Sequence, residues 1–175
     1  MRFDPSTVRQ HIDTPLGPML LAASDRGLNG AWFDGQRHQP DAATIARWPQ
    51  ALRHPVLLAA RQQLQAYFAG QRSRFDLPLD LSGGTAFQQA VWQALLAIGP
   101  GATSGYGALA TALGRPAAAR AVGAAVGRNP VSVVVPCHRV LGAGGALTGY
   151  AGGLARKEAL LRLERAQALL RREAA

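Results

Sequence analysis

The chain carries a single cysteine, Cys137. One thiol can form neither an intrachain disulfide nor a cysteine-built zinc site, so no covalent staple and no such metal can hold the fold. The 175 residues, 48% of them hydrophobic, must therefore fold by burying an apolar core. At this size folding removes roughly 70% of the unfolded chain's surface from water, which suits one globular domain or one with a small companion. Three Trp exclude a disordered tail, and the scatter of 20 Gly and 11 Pro excludes a low-complexity polymer. Met1-Arg2-Phe3-Asp4-Pro5 has no apolar signal core. Apolar stretches such as residues 16–23 fall far short of the roughly 20 residues that span a bilayer. A soluble, cytoplasmic protein without membrane contact is expected.

Charge is distributed unevenly. Residues 1–100 hold nine Arg and seven Asp, whereas residues 101–175 hold nine Arg, one Lys and three Glu, which puts +7 of the net +9 in the second part. Such a basic half points to a polyanion, nucleic acid first. An arginine-rich composition on solvated faces explains the charge equally well. The one lysine, Lys157, sits between Arg156 and Glu158, so a P-loop is absent, and Gly142-Ala143-Gly144-Gly145 lacks the helix start that a dinucleotide site needs. No cofactor and no metal is expected.

The first part reads as strands and then a helix. Residues 19–24 and 28–34 flank Asp25-Arg26-Gly27 and suggest an antiparallel hairpin. Residues 54–69 form a helix with Val56, Leu57, Ala60, Leu64, Tyr67 and Phe68 on one broad face and Gly70 as its cap. Alternating Phe75, Leu77, Leu79 and Leu81 suggest a strand or extended connector, and Ser82-Gly83-Gly84 a boundary. The second part opens on a helix with a Thr85/Gln88 capping box, ended by Gly99-Pro100. Helices at 107–113 and 116–126, joined through Gly114-Arg115-Pro116, resemble a helix-turn-helix. Residues 131–135, β-branched and apolar, predict a buried strand, and residues 154–172 a final amphipathic helix. Domains are expected at 1–82 and 83–175.

Two segments carry candidate chemistry. The apolar run before Pro136 stops at Cys137-His138-Arg139. In a strand, adjacent side chains face opposite ways, but past a proline the backbone need not be extended, and a water can link thiol and imidazole. Most lone cysteines are inert packing groups. A packing cysteine is nevertheless oddly placed where an apolar strand gives way to Pro-Cys-His-Arg, and the pattern favours a reactive thiol. The helix at 116–126 carries one long side chain, Arg120, on a surface of Ala and Gly. A recognition helix reading the major groove presents several polar side chains. This one suits insertion by shape in the minor groove. On its own, an alanine-rich helix packed in a core explains the same residues better.

Pro136-Cys137-His138-Arg139-Val140 resembles the signature of the O6-alkylguanine-DNA alkyltransferases. Phe87 to Trp92, Tyr106 to Ala110, Ala118 to Gly123, Asn129-Pro130 and Gly149 to Glu158 follow in that family's order and spacing. The match is close from residue 85 to about 165, and general in layout before it. It is nearest the bacterial constitutive type. The resemblance implies an α+β architecture: a small N-terminal ribonuclease H-like domain with an antiparallel sheet, and a mostly helical C-terminal winged helix-turn-helix domain.

It also implies roles. Cys137 would accept the alkyl group irreversibly, through a thiol of lowered pKa. His138 would activate it through a water, with Glu164 orienting the imidazole. Asn129 would brace the helix-turn-helix against the active segment. Tyr106 would rotate the target phosphate and protonate the leaving guanine. Arg120, on the helix with Ala118, Ala119, Ala121 and Gly123, would enter the stack in place of the flipped base. Val140, Tyr150, Ala151, Gly152 and Gly153 would line the base pocket, with Lys157 supporting the loop. Gly105 departs from a common Ser or Thr, and Ala151 from a residue that in some members offers a hydroxyl. The small residues at 151–153 suggest room for adducts larger than methyl, and for O4-alkylthymine.

The implied partner is double-stranded DNA bearing O6-alkylguanine. The protein would act as a monomer in solution, with assembly on DNA left open, and would associate with the nucleoid. The alternative is a non-catalytic lesion-binding relative; such relatives lack the acceptor cysteine, which this chain retains. A cysteine hydrolase would need an oxyanion hole, and a transcription factor a richer recognition helix.

Overall fold

The computed structural model describes residues 1–173. Three strands, β1 (Val8–Ile12), β2 (Met19–Ser24) and β3 (Gly27–Phe33), form an antiparallel sheet in the order β1-β2-β3. The β2–β3 turn is the one expected, with Ser24 opposite Gly27 at φ +144. A side chain at Gly27 would run into the Pro78 carbonyl, so only glycine fits this close approach.

Both β2 and β3 are buried throughout, because each sheet face is covered. Met19, Leu21, Ala23, Ala31 and Phe33 join the main core with Leu57, Ala60, Leu64 and Tyr67 of α2 (Pro55–Phe68). Leu20, Ala22 and Trp32 face a smaller cluster with Trp48, Phe3 and Ile45, the last from the short helix α1 (Ala42–Ala46). Gly30 is small because the Trp32 ring lies over it; a Cβ there would sit 2.1 Å from the indole. Strand β1 and helix α1 were not anticipated from sequence. Residues 72–81 remain an extended connector, touching the sheet at one bridge, Leu28 with Leu79.

After a turn at residues 82–84, α3 (Ala86–Leu96) starts at Thr85, whose hydroxyl accepts from the Gln88 amide while the Gln88 side chain accepts from the Thr85 amide. Strand β4 (Ser104–Gly105) leads into α4 (Tyr106–Ala112). The chain turns at Gly114, φ +68, through a single 3₁₀ turn at Pro116–Ala118 into α5 (Ala119–Gly127). Trp92 Nε1 donates to the Ala125 carbonyl at 2.9 Å and locks α5 to α3. Strand β5 (Val140–Leu141) pairs in parallel with β4, and α6 (Leu154–Glu173) closes the fold. One contiguous apolar core runs from the sheet through α2 and α3 to α5 and the segment before Cys137. Among the described residues, no helix is long and apolar enough to cross a membrane.

The strand expected at 131–135 is absent. Its residues are buried, yet the chain reverses there. Val131 bridges Ala31 of β3, the Val135 amide returns to the Val131 carbonyl, and Val133 adopts φ +73. A left-handed conformation is costly for a β-branched residue and persists only where the surroundings enforce it. Here the enforcing group is the Asn129 side chain, whose Nδ2 donates to the carbonyls of Val135 (2.9 Å) and Val131 (3.4 Å) while its Oδ1 accepts from the Val131 amide (3.0 Å).

Candidate active site

Pro136 stops further pairing, and Cys137–Arg139 wind into one 3₁₀ turn, which brings the three side chains off the alternation of a strand. All three are buried. Asn129 Nδ2 also lies 3.1 Å from Cys137 Sγ, so the amide that shapes the turn contacts the thiol as well.

His138 Nε2 lies 2.9 Å from Glu164 Oε1 on α6. The same oxygen accepts from Arg139 Nη2 at 2.7 Å and from the Tyr67 hydroxyl at 2.8 Å. Glu164 Oε2 accepts from Arg139 Nε at 2.9 Å and from the Gly101 amide at 3.3 Å. Arg139 Nη1 completes its fork on the Ile98 carbonyl. A buried carboxylate thus gains five donors and a guanidinium counter-charge. Burial opposes its ionisation, but the hydrogen bonds and charges of His138 and Arg139 prevail and hold it well below the usual carboxylate range.

Burial lowers the pKa of His138, and the neighbouring Arg139 and Lys157 add to that, against the pull of Glu164. The imidazole is neutral, with Nε2–H donated to Glu164. Its Nδ1 is buried and has no hydrogen-bonding partner among the described side chains and backbone. The thiol departs from expectation. Burial pushes Cys137 up to about 11, against the Asn129 contact and the Lys157 charge that favour the thiolate. A resting thiol of this kind needs a base at the moment of reaction, and the free Nδ1 of a neutral imidazole can take the proton.

Lys157 is fully buried and donates from Nζ to the carbonyls of Val140 (2.5 Å) and Thr148 (2.7 Å), tying both ends of the 140–148 loop to α6. Tyr106, at the start of α4, points its hydroxyl toward the Thr148 carbonyl at 3.5 Å and packs against Gly123 of α5. Together with Tyr150, Ala151 and Arg128 they line an open cleft of about 300 Å³. Tyr106, Tyr150 and Lys157 all lie within electrostatic reach of Cys137. Val140, Gly152, Gly153 and Cys137 do not line the cleft. Gly152 offers no spare room, because a Cβ there would sit 2.7 Å from the Tyr150 ring and 3.2 Å from Phe33. Around Gly153 the space is open.

Helix α5 buries Val122, Ala125 and Val126 and exposes the opposite side, so it is not enclosed in a core. Ala117, Arg120, Ala121, Ala124 and Arg128 form the exposed stripe, with Ala118 and Ala119 partly covered at its start. Arg120 and Arg128 are two turns apart on that face, a spacing that identifies Arg128 from sequence once the exposed side is known. Sequence reasoning assigned no role to Tyr67, Arg128 or Arg139. Arg139 was visible inside the Pro-Cys-His-Arg motif; Tyr67 carried no signal beyond a place in an apolar stripe. Gly105 is extended, and a Cβ there would meet only the Leu141 carbonyl at 4.0 Å, so the backbone does not demand glycine.

The structure thus brings a buried thiol, an imidazole and a carboxylate close to a cleft that α5 helps to line. The DNA-binding domain of 6-O-methylguanine DNA methyltransferase matches residues 86–166, and the ribonuclease-like domain of the same family matches residues 8–81. The chain belongs to this methyltransferase family. The methylated-DNA–protein-cysteine methyltransferase of Mycobacterium tuberculosis is 48% identical, covering 90% of this chain and 92% of its own. That of Salmonella typhimurium is 61% identical, covering 90% and 95%. The solved Mycobacterium tuberculosis OGT in complex with DNA superposes with a TM-score of 0.81 at 46% identity, covering 91% of this chain and 93% of that one.

Proposed function

We propose that this methyltransferase repairs alkylated duplex DNA by direct reversal, moving the alkyl group from guanine O6 onto Cys137. The observation that carries the proposal is the buried Cys137–His138–Glu164 arrangement, a protonated thiol beside a neutral imidazole whose other nitrogen is held by a carboxylate. His138 Nδ1 takes the thiol proton, directly or through a water, and the thiolate attacks the alkyl carbon. The S–C bond forms as the C–O6 bond breaks, and the electron pair stays on the guanine oxygen. Tyr106 protonates the leaving base, and a proton relayed from the imidazole restores the tyrosine. The product is a thioether, so each molecule acts once, and no cofactor enters the balance.

The target base leaves the stack to meet a buried thiol, and Arg120 fills the gap, supported by its exposure on an alanine surface. Asn129 braces the active turn, Lys157 braces the loop beneath the cleft, and Tyr150 and Ala151 receive the base. The small side chain of Ala151 at the cleft supports adducts larger than methyl, and O4-alkylthymine. Domains at 1–82 and 83–175 divide support from DNA binding and alkyl acceptance. The protein acts in the cytoplasm, on the nucleoid, as a monomer that can assemble on DNA. The intact Cys137 disfavours a role confined to flagging lesions.

Intact mass before and after incubation with a duplex containing O6-methylguanine tests the proposal. A gain of one methylene unit, mapped to Cys137, is expected. Tight binding with unchanged mass would instead support lesion flagging. A benzyl adduct that is never transferred would overturn the wider substrate range.

A further inference from the structure

One side chain of the N-terminal domain bonds the buried carboxylate directly. The Tyr67 hydroxyl, at the C-terminal end of α2, donates at 2.8 Å to Glu164 Oε1, the oxygen that His138 Nε2 contacts at 2.9 Å. Its ring is fully buried and fixed by Phe68 and Phe75, at centroid distances of 5.4 and 5.3 Å. One turn beyond Glu164 on α6, Gln167 Nε2 donates to the Tyr67 carbonyl at 3.2 Å. Two bonds running in opposite directions therefore clamp α2 to the helix that carries the carboxylate.

We infer that Tyr67 is a positioning residue for alkyl transfer, through which the N-terminal domain fixes the geometry and the basicity of Glu164, and hence the proton affinity of His138. The inference rests on the transfer function proposed above. A carboxylate that accepts a phenol hydrogen bond is a weaker partner for an imidazole. Tyr67 keeps its proton throughout the accessible range, because burial and the adjacent Glu164 charge push its pKa far up. It is a permanent donor. The other groups facing this pair are Arg139 and the Gly101 amide on Glu164, Arg139 and Lys157 around His138, Tyr150 near Tyr67, and Arg74 across the shallow cleft at Pro100. None of these is changed by losing the phenol oxygen.

Tyr67→Phe keeps the ring and deletes the donor. The test is the single-turnover rate of transfer from O6-methylguanine duplex as a function of pH, alongside duplex affinity and thermal unfolding. With the donor gone, Glu164 holds the His138 proton more firmly, and the acidic limb of the rate profile moves up by about half a pH unit. The plateau rate falls by roughly threefold, while duplex affinity is unchanged. Gln167→Leu breaks the other half of the clamp and lowers the unfolding temperature without moving the limb. Should Tyr67→Phe fail to fold, 3-fluorotyrosine at position 67 supplies a stronger donor in the same ring, and the limb moves down instead. A limb that stays in place in the folded variant, with or without a slower plateau, overturns the inference. A wild-type protein that transfers nothing defeats the transfer function itself, and so the two failures are told apart.

Discussion

On one side of the core, Leu57, Ala60 and Leu64 of α2 meet Met19, Leu21 and Phe33 of the sheet, all without measurable exposure. On the other, His138, Lys157 and Glu164 are buried to the same depth, and every one of them is ionisable. The first region gains stability from each apolar contact. In the second, burial raises the cost of charge and moves proton affinities, and the fold satisfies each group with named partners instead of excluding it. Equal burial therefore goes with apolar contact in one place and with shifted proton affinities in the other. Tyr67 belongs to both, with its ring in the apolar stripe and its hydroxyl on the carboxylate.

The largest expected effect separates chemistry from binding. Cys137→Ser abolishes transfer, read as the absence of any mass gain on O6-methylguanine duplex, while duplex affinity persists. Next, Glu164→Gln leaves Arg139 buried without its counter-charge and His138 without its orienting partner. Transfer falls by about 100-fold or more, and stability by about 3–5 kcal/mol in denaturant unfolding. On the packing side, Leu64→Ala costs about 2–5 kcal/mol in the same unfolding experiment and leaves the transfer rate of the folded protein unchanged. If that substitution slowed transfer as much as Glu164→Gln, the contrast between the two regions would fail.

The pH dependence of stability sharpens the same contrast. The folded pKa of Cys137 lies above its ordinary value of 9.0, so its contribution is fully present below pH 9 and is lost as pH rises to about 11. That loss amounts to about 3 kcal/mol and disappears in Cys137→Ala. His138 shifts the other way: its contribution is present above its ordinary value of 6.5 and lost as pH falls below it. Unfolding midpoints measured from pH 5 to 11 should show both limbs, and the acidic one shrinks in His138→Gln.

Local rules carried much of the fold. The capping box at Thr85, the glycine stop after α2 and the tight turn before Gly27 are short-range choices of backbone and side chain, and they lie where the sequence indicates. β-branched content misled at 131–135, because a buried apolar segment does not require a ladder when a side-chain amide can satisfy its backbone.

The motif around Cys137 was legible because its chemistry is compressed into consecutive residues, whereas residue types made Arg120 the one long side chain of its helix and only the structure shows that face exposed. Sequence alone determined that the one thiol stands beside an imidazole just after a proline, and that the second half is basic. What only the tertiary structure decided is which further groups meet Glu164. Tyr67 lies 97 residues away from it along the chain and Arg139 25. The thiol's high proton affinity is likewise a property of its surroundings, since it comes from desolvation in a core assembled from distant segments. Residue types specify which groups can react, and packing across the chain sets the proton affinities at which they do so.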